Sequence, residues 1–127
     1  IPYVGQTTLL GNMRDIYEKS EKAIYTPGAA FLNVMAPCPR GWRYPTEQIM
    51  DICKLAVETC YWPLFEVIEG KWILSYSPKK KLPIEDFLRT QGRFKHLFKP
   101  ENEHLLVQYQ EEVDRRWEDL LFRCSKN

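Results

Sequence analysis

Four cysteines and two histidines are the side chains of this sequence best suited to bind a metal ion. The cysteines occupy positions 38, 53, 60 and 124, so no pair has the spacing of a Cys-x-x-Cys motif. Cys53 and Cys60 lie on one predicted helix, about 10 Å apart along its axis, which is too far to share one ion. The spacing therefore argues against a zinc ribbon or a C2H2 finger, and we expect reduced thiols in a cytosolic protein.

Cys38 has the sequence context most typical of a functional cysteine. It follows an apolar run, residues 29–36, that predicts a strand of a parallel sheet. Cys38 would then lie at the carboxyl edge of that sheet, where α/β folds bind ligands. Pro37 and Pro39 stiffen the loop, and loop cysteines are common ligands of iron–sulfur clusters. The residues alone nevertheless favour the alternative, a free cysteine packed as a small apolar side chain.

Two segments combine basic and aromatic side chains. Arg40, Trp42 and Arg43 follow Cys38 and could contact an anion or an electron-transfer partner, although a surface loop with the Trp folded onto the sheet edge fits equally well. Residues 91–99 could bind phosphate or single-stranded nucleic acid. Because the chain has no basic excess, an ordered loop with packed aromatic rings is the favoured interpretation of the second segment.

Composition and missing motifs exclude several classes of protein. The 127 residues, 44% hydrophobic and 28% charged, are typical of one globular domain or part of a larger one. A net charge of +1 argues against a nucleic-acid partner, and no apolar run reaches the ~18 residues of a membrane span. No complete catalytic motif is present, so we do not expect a self-contained enzyme. The start at Ile1, without a basic and apolar leader, predicts no secretory signal and suggests a processed or truncated chain.

Turn signals and apolar periodicity predict the element order β-α-β-loop-α-hairpin-α-α. The first helix is amphipathic, with Asn12 as its N-cap, and Thr46 is expected to cap the second helix. Glu69-Gly70 is a hairpin signal. The predicted elements are strands 3–9 and 29–36, a non-helical loop at 37–42, a helix from 46 that Pro63 stops, strands 64–68 and 71–76, and helices 84–91 and 101–123.

The strand at 29–36 is almost entirely apolar, which fits a strand buried on both faces of a parallel sheet. An isolated β-α-β unit has too few neighbours to cover such a strand, so we expect part of the sheet to lie elsewhere. Residues 1–63 would form the end of a parallel α/β domain with flanking helices. Residues 64–127 would form a C-terminal β-hairpin and helical extension.

Four segments resemble, in the same order, segments of the β subunits of 2-oxoacid:ferredoxin oxidoreductases of the pyruvate and 2-oxoisovalerate types. These segments are residues 1–4, 36–42, 55–66 and 91–97. The second holds Pro-Cys-Pro-Arg-Gly-Trp where the family usually has Pro-Cys-Pro-Thr-Gly-Trp. Arg40 thus replaces Thr, Cys60 replaces the Gly of a Leu-Ala-Val-Glu-Thr-Gly segment, and residues 5–8 differ from the usual Ala-Thr-Ala.

The resemblance implies the C-terminal part of a thiamine-diphosphate-binding fold. The family's motif for Mg²⁺ and the diphosphate, and three cluster cysteines, would lie upstream of Ile1. Cys38 matches the remaining [4Fe-4S] ligand, while Arg40, Trp42, Arg43 and Arg93 are candidates for partner contacts.

The implied activity is oxidative decarboxylation of a 2-oxoacid to an acyl-CoA, with electrons passed to ferredoxin in the cytoplasm. Expected partners are the remainder of the β subunit, the other oxidoreductase subunits, ferredoxin and coenzyme A. The isolated chain would be inactive and would bind neither thiamine diphosphate nor a stable cluster, and its open strand edge predicts self-association. The alternative is a non-catalytic interaction or structural module derived from this fold.

Overall fold

One mixed sheet organises the chain in the computed structural model, which describes residues 1–126. Its strand order is β2-β1-β3-β4, and the strands are β1 (Tyr3–Thr8), β2 (Ala30–Met35), β3 (Phe65–Ile68) and β4 (Lys71–Leu74). β1 and β2 are parallel, with Tyr3 opposite Ala30, whereas β3 is antiparallel to both β1 and β4. The hairpin therefore extends the same sheet, and residues 1–63 and 64–126 share it.

The predicted order of helices and strands is confirmed. The helices are α1 (Met13–Tyr25), α2 (Pro39–Trp42), α3 (Ile49–Glu58), α4 (Ile84–Leu88) and α5 (Glu103–Ser125), with 3-10 segments at Thr46–Gln48, Gly92–Phe98 and Pro100–Asn102. Asn12 caps α1, since its side chain accepts a hydrogen bond from the Asp15 backbone N–H at 3.1 Å. Glu69 and Gly70 both have positive φ, 49° and 81°, as the two central residues of a type I′ hairpin turn require.

Two local predictions are wrong. Residues 39–42 form one turn of helix rather than an irregular loop, because Pro39 occupies the first turn, where a missing N–H costs nothing. Thr46 does not cap α3. It opens a 3-10 turn whose preceding residue is Pro45, and no side chain caps that turn.

The hydrophobic core lies between one face of the sheet and helices α3, α4 and α5. The predicted apolar stripe of α3 supplies Ile52, Cys53 and Ala56, all fully buried. The stripe of α5 supplies Val113, Trp117 and Leu120, which are also buried. This arrangement fixes the loops that follow β2 and α4 against a single core.

β2 is an exposed edge strand, so the prediction of a strand buried on both faces is wrong within this chain. Of its side chains only Met35 is buried, and Phe31 is 54% exposed. β2 pairs with β1 alone among the described residues. The strand has the composition of a central strand but one unpaired edge, which is consistent with the expectation that part of the sheet lies elsewhere.

Helix α1 turns its charged face to the sheet and its apolar face outward. Lys19 is 2% exposed, whereas Tyr17 and Ile24 are 71% and 76% exposed. The Lys19 ammonium donates to Asp15 Oδ2 and to the Gln6 carbonyl, both at 2.8 Å. Burial lowers the pKa of Lys19, against the opposing effect of Asp15. Polar groups therefore hold α1 on the sheet, and within residues 1–126 the side chains of Met13, Tyr17 and Ile24 remain exposed.

A second ion pair extends this polar layer. Glu66 of β3 accepts from the Tyr3 hydroxyl at 2.6 Å and from the Lys22 ammonium at 2.9 Å. Burial and the Glu66 carboxylate raise the pKa of Tyr3. Among residues 1–126, no helix has both the length and the hydropathy that crossing a membrane requires.

Candidate functional site

Cys38 lies three residues beyond the end of β2, at the carboxyl edge of the parallel strand pair. It is exposed and occupies the N-cap position of α2. Its carbonyl accepts from the Trp42 backbone N–H at 2.9 Å, and its Sγ accepts from the Gly41 backbone N–H at 3.5 Å. The loop thus presents the thiol outward while hydrogen bonds fix the backbone behind it.

Tyr44 fixes the Cys38 loop to the hydrophobic core. This side chain is buried in the core, and its hydroxyl donates to the Pro37 carbonyl at 3.1 Å. Arg43 ends the helical turn in the left-handed region, with φ 58°. Arg40, within the turn, and Arg43, directly after it, are both exposed. The loop therefore combines a fixed backbone with two solvated cationic side chains.

The segment at 91–97 meets the Cys38 loop, a contact that the sequence did not predict. The Gly92 backbone N–H donates to the Arg43 carbonyl at 2.8 Å. A Cβ at position 92 would lie 2.8 Å from the Arg43 Cβ, so the close approach requires glycine. The only feature of the sequence that linked residues 91–97 to the Cys38 loop was that both belong to the segments resembling the oxidoreductase β subunits.

Arg93 and Trp42 are packed against each other, and both side chains are half-buried. The Arg93 Cζ lies 3.8 Å from the centroid of the Trp42 ring and 4.5 Å from that of Phe94. The Trp42 ring also meets Phe87 edge-on, with 6.2 Å between centroids. Of the four predicted contact residues, Arg40 and Arg43 are exposed, whereas Trp42 and Arg93 are half-buried.

The other cysteines are not placed to join Cys38. Cys53 and Cys60 are buried in the core and Cys124 is partly buried. Burial raises the pKa of Cys53 and Cys124, and that of Cys60 to about 11, so these thiols stay protonated at neutral pH. No three His, Cys, Asp or Glu side chains within residues 1–126 come together as a metal site. Cys38 fits the role of one thiolate ligand, and a complete cluster would need further ligands from another chain or segment.

A cavity of about 590 Å³ lies between the 3-10 segment Gly92–Phe98 and α5. Arg93, Tyr61 and Tyr109 contribute to its walls. Burial and the Tyr61 hydroxyl raise the pKa of Tyr109 to about 12. His96 lines the same cavity, whereas His104 lies outside it on α5. This cavity was not predicted from the sequence.

The chain is similar to subunits of two kinds of oxidoreductase. It is 44% identical over 116 residues to the pyruvate synthase subunit PorB of Thermotoga maritima, which covers 91% of this chain and 36% of that protein. It is 44% identical over 117 residues to the ketoisovalerate oxidoreductase subunit VorB of Pyrococcus horikoshii, covering 91% and 37%. Over 97 residues it is 39% identical to PorB of Methanocaldococcus jannaschii. No family model matches the chain. The chain spans about a third of the length of these relatives.

Proposed function

We propose, on the premise that this chain belongs to the PorB and VorB family of oxidoreductase subunits, that it forms the C-terminal third of a 2-oxoacid:ferredoxin oxidoreductase β subunit. The similarity to PorB and VorB subunits confirms the resemblance noted in the sequence. The proposed enzyme converts pyruvate or a branched 2-oxoacid to an acyl-CoA in the cytoplasm and passes the electrons to ferredoxin. Thiamine diphosphate with Mg²⁺ would supply the carbon–carbon bond cleavage, and [4Fe-4S] clusters the electron transfer.

Cys38 is the residue through which this chain would contribute to the chemistry. Its thiol is exposed, lies at the carboxyl edge of the sheet and is held by a capped helical turn. A cluster ligand needs these properties, since the sulfur must reach the iron while the backbone stays fixed. This placement is the single observation that carries the proposal.

The open face of the chain supports a subunit assembled from more than these residues. β2 is apolar and has one unpaired edge, and the outer stripe of α1 exposes Met13, Tyr17 and Ile24. About two thirds of the length of the relatives has no counterpart in this chain. We infer that the remainder of the subunit adds a strand to β2 and covers α1. Pairing at β2 would remove an edge that otherwise invites aggregation.

Arg40 and Arg43 would contact the electron acceptor or a neighbouring subunit. Both guanidinium groups are exposed beside Cys38 and have no ion-pair partner among the salt bridges of residues 1–126. Positive charges around a redox centre favour a partner with an acidic surface and accelerate its association at low salt. Trp42 and Arg93, which are half-buried and stacked on each other, would support the loop that carries these two arginines.

Anaerobic purification of the tagged chain from its source cells tests the proposal. We expect the remainder of the β subunit and further subunits to co-purify, and the assembly to reduce ferredoxin with a 2-oxoacid and coenzyme A. An isolated chain without associated polypeptides would contradict the proposal. An assembly that lacks any 2-oxoacid oxidation would favour the alternative, a non-catalytic module of the same fold.

A further inference from the structure

The Cys38 loop is stabilised from one side by a residue distant in sequence. We propose that Arg93 is a positioning residue, which fixes the α2 turn by stacking on Trp42 and so sets the orientation of the Cys38 thiol. The two segments are about fifty residues apart in the chain, yet the Gly92 N–H donates to the Arg43 carbonyl at 2.8 Å. Arg93 would act on the thiol only through the loop, without being a ligand itself.

Trp42 is held from two directions. Phe87, which is fully buried, meets its ring edge-on at an interplanar angle of 89°. The Arg93 guanidinium lies 3.8 Å from the ring centroid, a distance at which a cation is attracted to the electron-rich face of an indole. Phe87 belongs to the buried core against which Trp42 packs, and the Arg93 guanidinium adds a second contact that restrains the Trp42 ring.

The Arg93 side chain is itself fixed in one orientation. Its Nε donates to the Gln91 Oε1 at 2.7 Å, and the Gln91 Nε2 donates in turn to the Phe87 carbonyl at 3.0 Å. The Arg93 Nη2 is buried and has no hydrogen-bond partner within the described residues. The Trp42 and Phe94 ring centroids lie 3.8 Å and 4.5 Å from the Arg93 Cζ. A lysine cannot reproduce this contact, since it lacks both the planar group and the Nε donor.

Trp42 transmits its position directly to Cys38. The Trp42 backbone N–H donates to the Cys38 carbonyl, which closes the single turn of α2. The Gly41 N–H, one residue earlier, donates to the Cys38 Sγ at 3.5 Å. A helix of one turn has little stability of its own. Loss of the stack on Trp42 is therefore expected to open the turn and release the thiol from its cap.

Hydrogen exchange of the purified protein measures the stability of the α2 turn directly. In Arg93→Ala and Arg93→Lys, we expect the amides of residues 41–44 to exchange about tenfold faster (~1.4 kcal/mol), while those of α3 keep their native rate. Arg89→Ala is the matched control. The Arg89 Cζ lies 4.4 Å from the Phe98 ring centroid and makes the same type of contact, but its guanidinium pairs with Glu85 and makes no hydrogen bond to the Cys38 loop within residues 1–126.

The midpoint potential of the cluster in the assembled enzyme gives a readout that general destabilisation would not move. This second measurement depends on the proposed function, whereas the exchange measurement does not. We expect both Arg93 variants to shift the potential and Arg89→Ala to leave it unchanged. Native exchange at residues 41–44 in the Arg93 variants, or faster exchange spread evenly over the chain, would overturn the proposal. Faster local exchange in an assembly without iron would support the role of Arg93 and contradict the proposed function.

Discussion

The outward apolar stripe of α1 makes a quantitative prediction about assembly. Tyr17 and Ile24 lie seven residues apart on one helix face and are 71% and 76% exposed. Complete burial of such a side chain stabilises by about 1.5–3 kcal/mol, so covering the exposed three quarters contributes about 1–2 kcal/mol each. Tyr17→Lys or Ile24→Lys should therefore weaken binding to the remainder of the subunit by about fivefold to thirtyfold, and the double variant, if the two effects add, by about 25-fold to 900-fold.

The same substitutions should leave the chain itself folded, because neither side chain belongs to its core. Phe122→Lys is the matched control, since Phe122 is 60% exposed near the end of α5, on a different element. Affinity is measured by titrating the labelled chain with the separately expressed remainder of the subunit, and folding by urea denaturation. Unchanged affinity in the double variant, or an equal loss in Phe122→Lys, would refute the assignment of this face as the interface.

Three further outcomes follow from the contacts described above. Gly92→Ala should lower the free energy of unfolding in urea by about 1–3 kcal/mol, because the added Cβ would overlap Arg43. In the control Gly41→Ala the added Cβ would lie 3.7 Å from the Cys38 Sγ, so the free energy of unfolding should change by less than about 0.5 kcal/mol. Equal effects of the two substitutions would contradict this steric account. Lys19→Met should cost about 3–5 kcal/mol by leaving the Asp15 carboxylate buried without its cation, and a loss below about 1 kcal/mol would show that the pair is solvated. Folding raises the pKa of Cys60 to about 11 and that of Tyr109 to about 12, so the unfolded chain releases these protons at lower pH than the folded chain does. The free energy of unfolding should therefore fall as the pH rises above about 9. Lys19 has a lowered pKa and opposes this loss of stability at high pH. A urea midpoint that stays constant from pH 8 to about pH 11 would contradict a net loss of stability.

Features encoded by neighbouring residues were predictable from the sequence. Asn12 and the apolar spacing that follows it define α1, and Glu69-Gly70 defines the hairpin, because capping and turn formation depend on a few adjacent side chains. The stripe of α5 was equally visible, since its period alone indicates which side packs.

The orientation of α1 could not be predicted in the same way. A helix with an apolar stripe ordinarily turns that stripe inward. The sheet, however, offers α1 the Gln6 carbonyl, the Thr7 hydroxyl and the Glu66 carboxylate, which lies sixty residues after Gln6 in the chain. These polar groups select the charged face of the helix. The contact between Gly92 and the Cys38 loop was hidden for the same reason, because it depends on how α4 returns the chain to the end of β2.

The proposed role of Cys38 as an iron ligand is tested most directly by iron analysis of the native assembly. Iron and acid-labile sulfide are measured after anaerobic purification of the native assembly, of Cys38→Ala and of Cys124→Ala, which removes a partly buried cysteine distant in sequence. We predict that Cys38→Ala loses about four iron atoms per chain, the content of one [4Fe-4S] cluster, while Cys124→Ala retains the native amount. Native iron and sulfide in Cys38→Ala would contradict the claim.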